Sequence, residues 1–195
     1  MHIILGSTSP RREEILNFFS LPFTKVPSQF DEETVIFAGD PETYVKTLAS
    51  KKAETLSYQY PEEIILTADT TVFCRGKIYN KPQSKEEAIT FLEELSGLQH
   101  SVFTGVSLYF QNRTETICEE TKIYFKELTR KQIEQYLNCI NFLDKAGGYA
   151  IQQSGSILVK KIEGSYYNVM GLPLDPLERL LKLVNIDLWS LLKLL

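Results

Sequence analysis

Apolar residues along this chain come in short runs separated by stretches where they recur at helical spacing, and the two periods divide the sequence into strands and helices. His2 to Leu5, Phe23 to Val26 and Ile64 Ile65 Leu66 read as strands. Behind Ser9 and Pro10, an N-cap and a first-turn proline, the residues to about Phe19 read as a helix. Tyr44, Val45, Leu48, Ala49, Lys52 and Leu56 keep helical spacing behind Asp40 Pro41, a second start signal of the same kind. Val72 to Cys74 and Ile78 to Tyr79 bracket Arg75 Gly76 Lys77 and predict a hairpin returning to Asn80 Lys81 Pro82. Ser84 to Glu87 is a capping box that opens a helix through Leu95, closed by Gly97, and Thr129 to Gln132 opens another. From Ser101 to Phe110 the residues alternate, and Asn112 Arg113 turns the chain into Thr114 to Phe125, giving an antiparallel ribbon. Ile157 to Ile162 reads as a strand and about Asp175 to Val184 as a helix. Asp187 caps a last short helix of Leu188, Leu191, Leu192 and Leu195.

Strands alternating with helices, interrupted by a long ribbon, predict an α/β fold with a mixed sheet and a site in a cleft. The run Ile64 to Leu66 is expected to stop at Ala68 Asp69 Thr70 Thr71, setting a carboxylate flanked by hydroxyls at a strand end. Open α/β sheets place their chemistry there. Taken alone, Asp69 also fits a simple turn cap.

Composition narrows the class. At 195 residues and 43% hydrophobic, the chain can bury a full core as one domain or as two closely packed lobes. A net charge of -4 and a pI near 5.4 argue against a nucleic-acid binder, which needs a basic excess to release counterions. Cys74, Cys118 and Cys139 are widely spaced and read as reduced structural thiols. Ile3 Ile4 Leu5 is too short for a signal segment, and no later run approaches membrane-spanning length, so a soluble, cytoplasmic protein without membrane contact is expected.

The candidate chemistry is polar and phosphate-directed. Gly6 to Arg12 is a hydroxyl-rich loop leading into a helix start with two arginines, a pattern that makes an anion cradle. Asp31 Glu32 Glu33 is either a solvated acidic face or a source of a metal ligand. Lys46, Lys51 and Lys52 lie on a helix, where lysines ordinarily face water. In Asp144 to Gly155 the paired glycines mark a close backbone approach or a tight turn, and the Gln152 amide can address a base edge. Neither GxxxxGK[ST] nor GxGxxG is present, so any nucleotide site is built from side chains. His2 and His100 fall in strands and read as structural.

Eight of these stretches, in order and spread over nearly the whole chain, resemble the Maf family of nucleotide pyrophosphatases. They are Ser7 to Arg12, Asp31 Glu32, Lys52 Ala53, Ala68 Asp69 Thr70, Lys81 Pro82, His100 to Gly105, Asp144 to Gly147 with Tyr149 to Gln152, and Gly164 to Pro173. The resemblance implies an elongated mixed β-sheet with flanking helices in two lobes around a cleft, similar to the inosine triphosphate pyrophosphatases. It also implies hydrolysis of a nucleoside triphosphate between its α and β phosphates with a divalent metal, Mg²⁺ or Mn²⁺. Asp69 would be the proton acceptor or a metal ligand, with Glu32 as a second metal ligand. Ser7, Ser9, Arg11, Arg12, Lys52, Thr70, Lys81 and Gln152 would hold the substrate. Arg11, Thr70 and Gln152 match positions linked to base selection in the branch acting on dTTP and UTP. The family's tie to septum formation makes a non-catalytic, nucleotide-binding regulator of cell division the alternative. Two departures stand out: Gln153 replaces a common glycine and is expected to narrow or re-aim the base pocket, and Thr71 replaces an aliphatic residue. The leucine-rich C-terminus is expected to pack on its own chain or to make a homodimer contact.

Overall fold

The strand expected to stop at Ala68 does not stop. In the computed structural model, which describes residues 2–193, β3 runs from Ile64 to Cys74, so Asp69 sits in mid-strand. Thr70, Thr71 and Val72 are β-branched and favour extended backbone, and β5 (Gln99–Phe110) pairs antiparallel with β3 from Ile65 to Phe73. Hydroxyls that resemble a turn in sequence are here strand residues with buried partners.

The other edge of β3 is shared. β1 (Ile3–Gly6) lies parallel to its first half, from Ile3 opposite Ile64 to Gly6 opposite Thr67. β4 (Lys77–Tyr79) pairs antiparallel with its last three residues, Val72 to Cys74, through the Arg75–Gly76 turn. Between these two neighbours, residues 68–71 of β3 meet no strand on that edge. The sheet forks there. β2 (Phe23–Lys25) flanks β1 in parallel, while β6 (Arg113–Phe125) and β7 (Val159–Glu163) extend the sheet antiparallel beyond β5, giving a mixed seven-stranded sheet.

Helices cover both faces. α2 (Pro41–Ser57), capped by the Asp40 carboxylate on the Glu42 and Thr43 amides, packs Ala53 and Leu56 against Ile4, Ile65 and Tyr109. It can lie this close because Gly105 stands directly opposite Asp69, where a Cβ would come within 2.6 Å of the Val45 carbonyl oxygen. On the opposite face α1 (Pro10–Leu16), α3 (Lys85–Leu95), α4 (Arg130–Leu137) and α6 (Leu174–Lys182) share the main core with Leu66, Ala68, Val72, Val106 and Leu108.

Local expectations hold with shifted ends. Thr129 and Gln132 form the full reciprocal capping box, whereas Glu87 accepts from the Gln83 amide and only the Ser84 half of that box forms. α1 ends at Leu16, and Phe19 instead bridges Leu192. A short helix, α5 (Tyr166–Met170), occupies residues read as a connection. The last leucines form a 3-10 turn, Leu188–Leu191, capped by Asp187, with the Leu191 carbonyl accepting from the Ser20 amide and the following Lys193 amide donating to the Phe18 carbonyl; Leu195 lies outside the described residues. Among the described residues no helix is long and apolar enough to cross a membrane, and the three cysteines are free thiols.

Candidate active site

The fork opens into a cleft of about 400 Å³, a size typical of small-ligand sites. Asp69 points from β3 toward α2 and is only 7% exposed. The Lys52 ammonium meets Asp69 Oδ1 at 2.6 Å and Glu32 Oε1 at 2.8 Å. Lys52 is itself 8% exposed, contrary to the expectation of a solvated helix lysine. The signal was available: Lys52 falls on the same helical stripe as Leu48, Ala49 and Leu56, all buried. Asp69 Oδ2 makes no hydrogen bond among the described residues, so one carboxylate oxygen stays open to the cleft.

Glu32 reaches this cluster from a 3-10 turn, Glu32–Thr34, that Asp31 caps through the Glu33 amide. Partial burial pushes the Glu32 carboxyl up, but Lys52, with Lys81 and Arg12 farther off, outweighs it and holds it below the usual carboxylate range. Two carboxylates thus converge on one cationic centre. Among the described residues no third His, Cys, Asp or Glu joins them. Such a pair fits a hard divalent cation that takes its remaining oxygens from phosphate and water, and does not fit an all-protein metal cage.

Arg12 ties the fork together from the opposite face. Its guanidinium donates to the Gly171 carbonyl at 2.7 Å, to Ser7 Oγ at 3.2 Å and to Thr70 Oγ1 at 3.1 Å. Thr70 Oγ1 also meets Thr104 Oγ1 at 3.0 Å. Burial lowers the Arg12 pKa below its ordinary value against the opposing pull of Asp69, and an arginine so placed remains a cation. Ser9 Oγ makes no cap bond; its backbone amide donates to Ser7 Oγ instead.

The cleft wall carries Arg11, Arg12, Lys52, Lys81 and Lys145 against Glu32, Glu33, Asp69 and Asp144. Arg12 and Lys81 have no carboxylate partner among the described residues. Arg11 is engaged, with one nitrogen on Asp144 Oδ2 at 2.8 Å and another on the Asp144 carbonyl at 2.9 Å. Lys145, not singled out in the sequence as a site residue, lines the cleft while bonded to Asp144 Oδ1 and the Asn141 carbonyl, both at 2.6 Å. Only its place in the Asp144 to Gly147 stretch marked it. Gln152 sits at the rim, its amide 3.4 Å from Glu14, beside an apolar wall that includes Ile151, Val169 and Met170.

A family model described as Maf-like protein matches residues 2–184. The chain belongs to the Maf family. Among its relatives, the dTTP/UTP pyrophosphatase of Chlamydia caviae is 44% identical over 189 residues, covering 96% of each chain. That of Clostridium perfringens is 44% identical over 191 residues, covering 96% of this chain and all of the relative. The nucleoside triphosphate pyrophosphatase of Chlamydia muridarum is 38% identical over 189 residues, covering 96% of each. Among solved structures, a nucleoside-triphosphatase/dITP/XTP pyrophosphatase from Mycobacterium abscessus gives a TM-score of 0.48 at 10% identity, over 95% of this chain and 100% of that one. The Maf assignment rests on the sequence comparisons alone.

The two departures from the Maf pattern resolve differently. Gln153 has φ near 50°, left-handed backbone that glycine adopts freely, and its side chain is exposed outside the cleft. The expectation that it narrows the base pocket is therefore corrected: the position asks for glycine because of backbone shape, not pocket volume. Thr71 is fully buried with its hydroxyl on Asn80. Gly147 and Gly148 both have positive φ and approach their own chain, Gly147 donating its amide to the Asn80 carbonyl. His100 is structural, hydrogen-bonded to the Tyr149 hydroxyl at 2.8 Å and pushed by burial down to a pKa of about 3. His2 lies just before β1 and pairs with Thr24 at the surface.

Proposed function

We propose that this protein is a nucleoside triphosphate pyrophosphatase that hydrolyses dTTP and UTP, with modified pyrimidine nucleotides, to the monophosphate and pyrophosphate. The observation that carries this reading is Asp69, a nearly buried carboxylate with one free oxygen, set beside Lys52 in a cleft walled by arginines and lysines. Hydrolysis between the α and β phosphates needs charge on the phosphate oxygens balanced and water deprotonated as it attacks. Arg12, Lys52 and Lys81 bind and orient the polyphosphate, with Ser7 and Ser9 lining its entry. Water adds to phosphorus, the anhydride P–O bond to the leaving pyrophosphate breaks, and the water proton passes to Asp69. A divalent cation, Mg²⁺ or Mn²⁺, held by Glu32 and Asp69, would supply further neutralisation of the phosphates. Gln152, at the rim beside the apolar wall, would meet the pyrimidine, and Arg11 and Thr70 would act on base selection indirectly, through their bonds to Asp144 and Arg12. Free thiols support a reducing, cytoplasmic setting.

A pure binding module has no use for a carboxylate beside a polyphosphate, because like charge weakens the complex. The deciding experiment is a panel of nucleoside triphosphates with Mg²⁺ or Mn²⁺, resolving monophosphate and pyrophosphate, with Asp69→Asn beside the wild type. Turnover of dTTP and UTP should prevail, and Asp69→Asn should lower kcat by about 10²–10⁴-fold with the fold intact. Binding without turnover in the wild type would sink the enzyme and leave the regulator.

A further inference from the structure

A hydrogen-bonded chain that runs from the sheet to the cleft involves none of the residues assigned above. Thr71 is fully buried on β3, two residues beyond Asp69 and on the same face. Its hydroxyl donates to Asn80 Oδ1 at 2.8 Å, and Asn80 Nδ2 donates to the Tyr44 hydroxyl oxygen on α2 at 3.2 Å. The chain therefore has a direction. Tyr44 accepts from Asn80, so its own proton must go elsewhere, and among the described residues no acceptor takes it. Tyr44 and Asn80 both line the cleft, next to Lys81 and Lys52.

The ring is held firmly. Tyr44 is nearly buried in a cluster with Val45 and Leu48, and Phe37 meets it edge-on at 5.6 Å. Asn80 is fixed at a third point by the Gly147 amide on its carbonyl. Burial, joined by the charges of Asp69 and Glu32, raises the tyrosine pKa, which keeps the hydroxyl protonated and a donor. A neutral hydroxyl in the lining of a cleft of lysines and carboxylates needs an acceptor for its proton, and a phosphate oxygen is an acceptor that the cleft's cations would hold within reach.

We propose that Tyr44 is a further substrate-binding residue whose hydroxyl donates to an oxygen of the pyrophosphate portion of a nucleoside triphosphate, with Thr71 and Asn80 as positioning residues that orient it. The inference rests on the nucleotide reading above. It also gives a role to Thr71, the departure that places a hydroxyl where the family commonly has an aliphatic side chain.

The test is calorimetric binding of α,β-methylene-dTTP and of dTMP to wild type, Tyr44→Phe, Asn80→Ala and Tyr44→Phe/Asn80→Ala. Tyr44→Phe removes one oxygen, and loss of a hydrogen bond to a charged group should weaken the triphosphate analogue about tenfold or more. Binding of dTMP should change by less than about twofold, since dTMP lacks the pyrophosphate contact. Asn80→Ala should weaken the analogue less, and should have no further effect once Tyr44 is phenylalanine, because it acts only through that hydroxyl. Thr71→Val should follow Asn80→Ala; Asn80 is exposed, so its variant decides the matter if the buried one does not fold. Equal losses for dTMP, an unchanged analogue affinity in Tyr44→Phe, or independent effects in the double variant would each overturn the proposal. A wild type that binds no nucleoside triphosphate at all would instead overturn the reading on which it rests.

Discussion

Gln153 shows how much one residue's backbone can mislead. A long amide beside Gln152 looks like a pocket determinant, yet its side chain is exposed and only its φ of 50° departs from the ordinary. Holding a non-glycine residue there costs about 1–2 kcal/mol. Gly in its place would give back about 0.4–1 kcal/mol through greater freedom of the unfolded chain. Gln153→Gly should therefore raise stability by up to about 1.6 kcal/mol, read from urea midpoints, while the ratio of dTTP to UTP turnover stays put. A changed ratio would return Gln153 to the pocket. Lys52 is the reverse case: its position on the buried stripe of α2 was legible in the helical spacing, but its two carboxylate partners come from residues 20 and 17 positions away. No local pattern carries that.

At the scale of elements, the approach of α2 to the sheet sets the shape of the cleft, because α2 carries both Lys52 and Tyr44, which line it. Gly105 controls that approach. Gly105→Ala would drive a Cβ to 2.6 Å from the Val45 carbonyl oxygen and 2.9 Å from the Lys46 nitrogen, so the helix must lift. Overpacking of this kind costs about 1–3 kcal/mol. Misplacement of catalytic groups by about 1 Å costs up to about 100-fold in rate, so kcat/KM should fall by about tenfold or more while the protein still folds. Unchanged kinetics with lowered stability would separate the helix position from the site. The extent of β3 belongs to this scale too. Its first apolar residues announce a strand, but its continuation through Asp69 and the threonines depends on β5, whose sequence lies about 30 residues on.

Across the whole molecule the cleft is closed by Arg11 and Asp144, which join α1 to the segment after α4. Partial burial pushes the Asp144 carboxyl up, but Lys145 and Arg11 outweigh it and hold it below the usual carboxylate range. Its folded pKa is thus depressed, so its contribution is complete above the unfolded carboxylate value and is lost as pH falls through the depressed one. Asp144→Asn should cost about 1 kcal/mol at pH 7, and the gap to wild type should shrink in urea midpoints taken at progressively acid pH. A gap independent of pH would assign the loss to packing. Residue types and spacing along the chain were enough to determine the α/β class, the ribbon, most helix starts and the family, because apolar period, caps and motif order are local properties. They also marked Asp69, Glu32 and Arg12 as candidate chemistry, while Lys81 was singled out only by the family resemblance. Only the tertiary structure decided that Asp69 lies at a fork inside a strand, that Lys52 is buried between two acids, that Arg11 is occupied by Asp144, and that Tyr44 lines the cleft with its hydroxyl on Asn80. Each of those depends on which distant strands and helices pack together, and packing is a property of the whole chain.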